Sequence, residues 1–346
     1  MFAGVNPAHP RDCASSQLRY TAFMTPGPPP ADFAPVDSAR PADLQAFPVH
    51  IATPDISAFR QGNTGIPGFT THDSGLPGPH VVLVSLIHGN EIAGAAILAE
   101  LLRAKFTPRR GKLTFGFANL AAFDRFNSQT PLASRHIEED MNRVWDDLQL
   151  FGVRRSLELN RAREIRPLVD TADILLDLHT MLWPSNPVLL CGPTAQGREL
   201  ALKLATPATV IADSGHAGGK RLIDYGRFSE ATGILAEAGQ HWEPAALSQT
   251  RATVRALLRQ TGMLLAPPPP PAPITFAQVT HTITARTNRF VFLRSFQGGE
   301  IIPAADTLIA HDGDTEIRTP YDSCMLVMPS LRVSLGHTAV RLARLA

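Results

Sequence analysis

Two histidines and a glutamate carry the clearest chemical signal in the sequence. The apolar run over 80–87 (HVVLVSLI) leads into His88-Gly89-Asn90-Glu91, and the run over 172–178 (ADILLDL) leads into His179. Two His and one Glu are the donor set of a catalytic zinc, which keeps a fourth position open. A His-x-x-Glu pair on a tight turn can aim both side chains at one point, and Gly89 is expected to permit that turn. Asp177, two residues before His179, is a candidate to back its imidazole. Singly, each feature is ordinary. A histidine at a strand end is more often a satisfied polar group, and HxxE is a short pattern. The paired placement is what points to a metal. His9, His50, His72 and His337 show no such pairing and read as surface residues.

Positioning these donors requires strands that end side by side. Residues 80–87, 112–118, 172–178, 187–191, 208–212 and 233–237 read as strands. Residues 91–105, 155–169, 195–205 and 245–260 read as helices. In 91–105, Ile92, Ala95, Ala96, Ala99 and Leu102 are expected on one buried face. The alternation predicts a layered α/β domain with a largely parallel sheet, whose carboxyl strand ends are where ligands bind. After residue 274 the pattern changes to short β-type runs at 275–285, 289–294, 300–309, 315–318 and 324–328, which predict a small all-β domain.

Proline marks the divisions. The chain has 30 prolines in 346 residues, and ten lie in the first 60. Residues 1–45 are expected to be extended or poorly ordered, with Met24 an alternative start. Residues 46–265 are expected to form the catalytic domain. Residues 266–273 read as a polyproline spacer, because proline cannot sit inside helix or sheet, and 274–346 as the β domain.

Charge and cysteine content narrow the classes. Thirty-two Lys and Arg against 31 Asp and Glu give a net charge of +1, which excludes general electrostatic capture of nucleic acid or anionic membrane. No apolar run approaches the ~18 to 20 residues of a membrane span. Cys13, Cys191 and Cys324 are too scattered for a disulfide framework or a cysteine zinc site, so a cytoplasmic location is the default.

From about residue 50 to 330 the sequence resembles the succinylglutamate desuccinylase/aspartoacylase family of the zinc carboxypeptidase superfamily. The motifs stand in order: Gly78-Pro79, His88-Gly89-Asn90-Glu91, Asp140-Met141-Asn142-Arg143, Asp177-Leu178-His179 and Ala236-Glu237-Ala238-Gly239. The resemblance implies a carboxypeptidase-like three-layer α/β domain and one zinc ion per chain on His88, Glu91 and His179. It implies hydrolysis of a small N-acyl amino acid, with Glu237 as general base and Arg135 polarising the scissile carbonyl. Asn142 and Arg143 would hold the substrate carboxylate, and Arg227, ten residues before Glu237, would be a further anion-binding arginine. The arginines at 154, 155, 161, 163 and 166 read as solvated surface charges.

The sequence departs from the pattern after Gly239, where it reads Gln240-His241-Trp242. His241 is therefore weighed as a pocket residue beside Glu237, or as a polar residue at a helix entry. Tyr321 and Tyr225 are the candidates for the family's C-terminal substrate-binding tyrosine. The competing readings are a zinc carboxypeptidase on short peptides and a zinc-binding protein without turnover. Homo-oligomerisation is left open.

Overall fold

The structure, a computed structural model, describes residues 48–346 except Ala217 and residues 269–271. The expected extended segment 1–45 and the middle of the polyproline spacer lie outside the described residues. The first part of the chain alternates strand and helix: β1 (Phe69–Asp73), β2 (His80–Ser85), α1 (Ile92–Arg103), β3 (Lys112–Phe117), the short α2 (Leu120–Phe123) and α3 (Asp147–Leu150), then α4 (Leu157–Val169), β4 (Ile174–Met181), β5 (Val188–Leu190), α5 (Ala195–Leu204), β6 (Thr209–Ala212), β7 (Thr232–Gln240) and α6 (Pro244–Gln260). The remainder is β8 (Thr275–Thr284), β9 (Phe290–Phe292), β10 (Ile301–Ile302), β11 (Leu308–Asp312), β12 (Thr315–Arg318), β13 (Cys324–Val327) and β14 (Thr338–Leu345).

Among the described residues, eleven strands form one mixed sheet in the order β1-β3-β2-β4-β7-β5-β6-β8-β14-β13-β10. The centre is parallel: β2 with β3 and β4, and β4 with β7. β5 runs antiparallel to β7. Central strands buried on both faces need apolar residues at every position, which is why β2 and β4 read as continuous apolar runs. Val81 and Leu83 face one core with α1 and α6, while Val82 and Val84 face a second core with α4. This is the expected helix–sheet–helix sandwich. Helix α1 buries Ile92, Ala95, Ala99 and Leu102 of the predicted stripe, with Ala96 only partly buried, and it also buries Ile97 and Leu98, where α6 packs beside it in the same core.

The segment after the prolines is all β, as expected, and it is joined to the main sheet. β8 pairs in parallel with β6 through Thr209–Ala212 against 275–278, and antiparallel with β14. A separate three-stranded antiparallel sheet, β12-β11-β9, covers a third apolar cluster around Ile309, Leu326 and Tyr321. β1 and β14 carry no strand signal strong enough to predict them. One is a short edge strand and the other has two arginines in eight residues.

Candidate active site

His88, Glu91 and His179 converge at the carboxyl ends of β2 and β4. All three are buried, and one donor atom from each lies within 4.8 Å of the others. Leu86, with φ 58, turns the chain sharply after β2. Gly89 is required for a reason different from the expected one. Its φ is not left-handed, but a Cβ there would meet backbone atoms of Ala122, Phe123 and Ser134 at 2.4–2.6 Å. The glycine allows close backbone approach.

The three donors lie close enough together to hold one metal ion. Glu91 Oε1 lies 2.7 Å from His88 Nδ1 and Glu91 Oε2 2.8 Å from His179 Nδ1. The other nitrogen of each ring faces a carboxylate: His88 Nε2 is 2.9 Å from Asp140 Oδ1, and His179 Nε2 is 2.9 Å from Asp177 Oδ2. Neither Asp177 oxygen forms an aligned hydrogen bond among the described residues, so that contact is an electrostatic one. Asp177 behind His179 favours the tautomer that leaves its Nδ1 lone pair for a metal, whereas His88 Nε2 meets both Asp140 and the Arg135 guanidinium, at 2.9 and 3.0 Å. Without a cation, burial alone would lower the His179 pKa, but Asp177 and Glu91 raise it well above the usual imidazole range. The same two histidines hold Glu91 well below the usual carboxylate range against its burial. The cluster thus holds a proton that a metal ion would displace. The set of two nitrogens and one carboxylate suits zinc.

Glu237 stands next to this cluster by strand register. On the parallel pair β4–β7 it lies directly opposite His179, and the ladder slips immediately afterwards so that Met181 faces Gln240. The bulge frees the Thr180 N–H, which donates to Glu91 Oε2 at 3.0 Å. Glu237 is buried, its Oε2 has no hydrogen-bond partner, and burial pushes its carboxyl up to about 8. His241 follows the same strand. Thr180 Oγ1 contacts its Nδ1 at 2.6 Å, and burial pushes the imidazole down to about 4, so it is neutral.

The loop 135–143 supplies the polar wall. Arg135 Nη1 donates to Glu91 Oε1 and Nη2 to Asp140 Oδ2, both at 3.1 Å. Asn142 Oδ1 accepts from the Leu222 N–H at 2.8 Å, and Arg143 Nη1 donates to the Asn142 carbonyl at 2.7 Å. Glu158, in the first turn of α4, holds this loop from behind. Its carboxylate accepts from the N–H groups of Ile137, Glu138 and Glu139 at 2.7, 3.1 and 3.3 Å, and from Asn119 Nδ2 at 3.2 Å. Sequence reasoning missed Glu158, because its partners are some twenty and forty residues away.

These residues line a cavity of about 320 Å³, within the usual size for small-molecule sites. His88, Glu91, His179, Arg135, Asn142, Arg143, Glu237 and His241 all face it. Arg227 does not. The turn over Gly226–Ser229 directs its guanidinium to the Ala172 carbonyl, at 3.0 and 2.8 Å, so the ten-residue spacing from Glu237 misplaces it. Tyr225 donates to Asp170 and Tyr321 contacts Thr280, and neither lines the cavity. Two other arginines, Arg221 and Arg341, do line it, together with His216 and the Trp183 loop. Of the arginines read as solvated, Arg161 and Arg163 instead donate to backbone carbonyls of Ala118 and Leu150.

Comparison with known proteins agrees with this geometry. Residues 77–261 match the model of the succinylglutamate desuccinylase/aspartoacylase catalytic domain. No curated protein matches the chain. A succinylglutamate desuccinylase from Vibrio parahaemolyticus superposes with a TM-score of 0.62, at 18% identity over 81% of this chain and 86% of that one. The Vibrio cholerae enzyme gives 0.62 at 19% identity, over 80% and 85%. The product-bound ectoine utilization protein EutE (DoeB) of Ruegeria pomeroyi gives 0.59 at 16%, over 80% and 88%. These likenesses establish the fold. The matched segment spans more than half of the chain and contains the His88, Glu91, His179 and Glu237 cluster, so the chain belongs to the succinylglutamate desuccinylase/aspartoacylase family.

Proposed function

We propose that the protein is a zinc-dependent deacylase that hydrolyses a small N-acyl amino acid to a carboxylate and a free amino acid. The observation that carries this reading is the strand register that sets the unpaired, buried Glu237 beside His179 in a three-donor cluster. A structural zinc site would close its coordination with a fourth protein ligand. Here the three donors open instead onto a cavity of substrate size.

His88, Glu91 and His179 would hold the ion, whose Lewis acidity would activate water and polarise the acyl carbonyl when bound. The rest of the chemistry belongs to this chain's side chains. Arg143 forks onto the α-carboxylate of the substrate and sets its distance from the cluster. Arg135 donates to the carbonyl oxygen as it gains negative charge, a role whose loss typically costs about 3 kcal/mol. Glu237 takes the proton of the attacking water and passes it to the leaving amine. His241, buried in the cavity wall, stays neutral.

The test is metal content together with turnover on N-acetyl and N-succinyl amino acids and small dipeptides. About one zinc per chain with amide hydrolysis is expected. A preparation holding one zinc per chain that cleaves only dipeptides would favour a carboxypeptidase, and one that cleaves nothing would favour a binding protein.

A further inference from the structure

The turn between β7 and α6 holds the residues at which the sequence leaves the family pattern, Gln240-His241-Trp242. Trp242 has φ 60, a backbone conformation that bulky side chains avoid. Such a residue persists only where its surroundings hold it, and residues of this kind cluster at functional centres. Three hydrogen bonds hold the turn. The His241 N–H donates to the Met181 carbonyl at the end of β4 at 2.7 Å, and the Trp242 carbonyl accepts from the His50 N–H at 3.1 Å. The Trp242 indole, buried in the core shared with α1, donates from Nε1 to the Asn90 carbonyl at 2.8 Å.

Asn90 lies between two of the metal donors. Its carbonyl belongs to the peptide group that joins it to Glu91, ahead of the first turn of α1, so the helix does not satisfy that buried acceptor. The indole does. The N–H of the same peptide group, on Glu91, donates to the His88 carbonyl at 3.1 Å. Both polar groups of one peptide plane are therefore fixed, and that plane sets the direction in which the Glu91 side chain leaves the backbone. The direction matters because Glu91 stands at the N-cap of α1, where a carboxylate is drawn to the free N–H groups of the first turn. Its carboxylate makes no such cap and spans His88 and His179 instead. His241 acts on the same carboxylate from the other end, since it contacts Thr180, whose N–H donates to Glu91 Oε2.

We infer that Trp242 is a positioning residue of the metal centre: its indole N–H holds the Asn90–Glu91 peptide plane and so aims the Glu91 carboxylate between His88 and His179. Trp242 does not line the cavity, so it acts through Glu91 and not on the substrate. The inference rests on the metal site of the proposed deacylase and is independent of the amide it cleaves.

The experiment measures zinc affinity by chelator competition for the wild type, Trp242→Phe and Trp145→Phe, under conditions where each metal-free protein is folded. Phenylalanine keeps an aromatic ring and removes the N–H. Trp145 is the control: it is as deeply buried, in the second core, and its Nε1 has no hydrogen-bond partner among the described residues. Trp242→Phe should weaken zinc binding about 10- to 100-fold, the usual effect of losing a group that orients a metal ligand. Trp145→Phe should leave zinc affinity unchanged. The visible absorption of the cobalt-loaded protein, which reports ligand geometry, should change in Trp242→Phe alone. If Trp242→Phe does not fold, benzothienylalanine at position 242 replaces the indole N–H with sulfur at nearly the same shape, and the same loss of zinc affinity is expected. Unchanged zinc affinity in the folded position-242 variant, or an equal loss in Trp145→Phe, would overturn the positioning role and leave the deacylase reading standing. A wild type that binds no zinc would instead overturn the metal site of that reading, before any variant is compared.

Discussion

Glu158→Gln tests how the arginine loop is held. The Glu158 carboxylate accepts from Ile137 N–H and Asn119 Nδ2 on one oxygen, and from the Glu138 and Glu139 N–H groups on the other. Burial would raise its pKa, but these four donors outweigh it and hold the carboxyl below the usual range. Glutamine keeps the size and replaces one acceptor oxygen with an NH₂ donor. Whichever way the amide turns, two donors then face a donor. Asn119 cannot relieve this by flipping, because its own Oδ1 already accepts from the Ala122 N–H. Two bonds to a charged acceptor are lost, each worth about 1.5 to 3 kcal/mol, so a stability loss of about 3 kcal/mol or more is expected in urea unfolding. The loop carries Arg135 and Arg143 but none of the three metal donors. Zinc should therefore be retained at about one per chain, while kcat/KM per folded molecule falls about 10- to 100-fold, since misplacement by about 1 Å costs that order. An unchanged kcat/KM per folded, zinc-loaded molecule would refute the argument that Glu158 positions this wall.

Two further outcomes follow from buried groups. Asp177→Asn removes the charge 2.9 Å from His179 Nε2 and should weaken zinc binding about 10- to 100-fold without unfolding the protein, as measured by competition with a chelator; unchanged affinity would separate Asp177 from the site. His241 has a folded-state pKa of about 4, below its unfolded value near 6.5, so the unfolded chain binds the extra proton. Its contribution is present above pH 6.5 and is lost as the pH falls toward 4. Between pH 7 and 5 the metal-free wild type should lose about 2 kcal/mol more than His241→Gln in urea unfolding; parallel losses would show that His241 is not buried as a neutral ring.

Much of the scaffold is legible in local patterns. The β2 and β4 runs are read directly, because parallel strands covered on both faces must be apolar throughout. His88, Glu91 and His179 are legible for the same reason, since each lies at or just past the apolar stretch of such a strand. What escapes the sequence is set by distant pairing. Glu158 points at a loop twenty residues earlier, and Asp213 matters only because Arg221 folds onto it. Arg341 belongs to a strand whose place beside β8 is fixed by sheet order rather than by its own residues. Arg227 shows the reverse error. A correct spacing to Glu237 does not fix direction when a helical turn lies between.

Glu237→Gln removes the proposed proton acceptor and little else. Glutamine is nearly isosteric, is not one of the three metal donors, and cannot take a proton from water. Zinc content and fold should be unchanged, and substrate should still bind by calorimetry. Turnover per zinc-loaded molecule should fall at least 10²- to 10⁴-fold, the worth of a general base. Near-normal turnover by a folded, zinc-loaded Glu237→Gln protein would contradict the central claim that this buried, unpaired carboxylate beside His179 moves the proton.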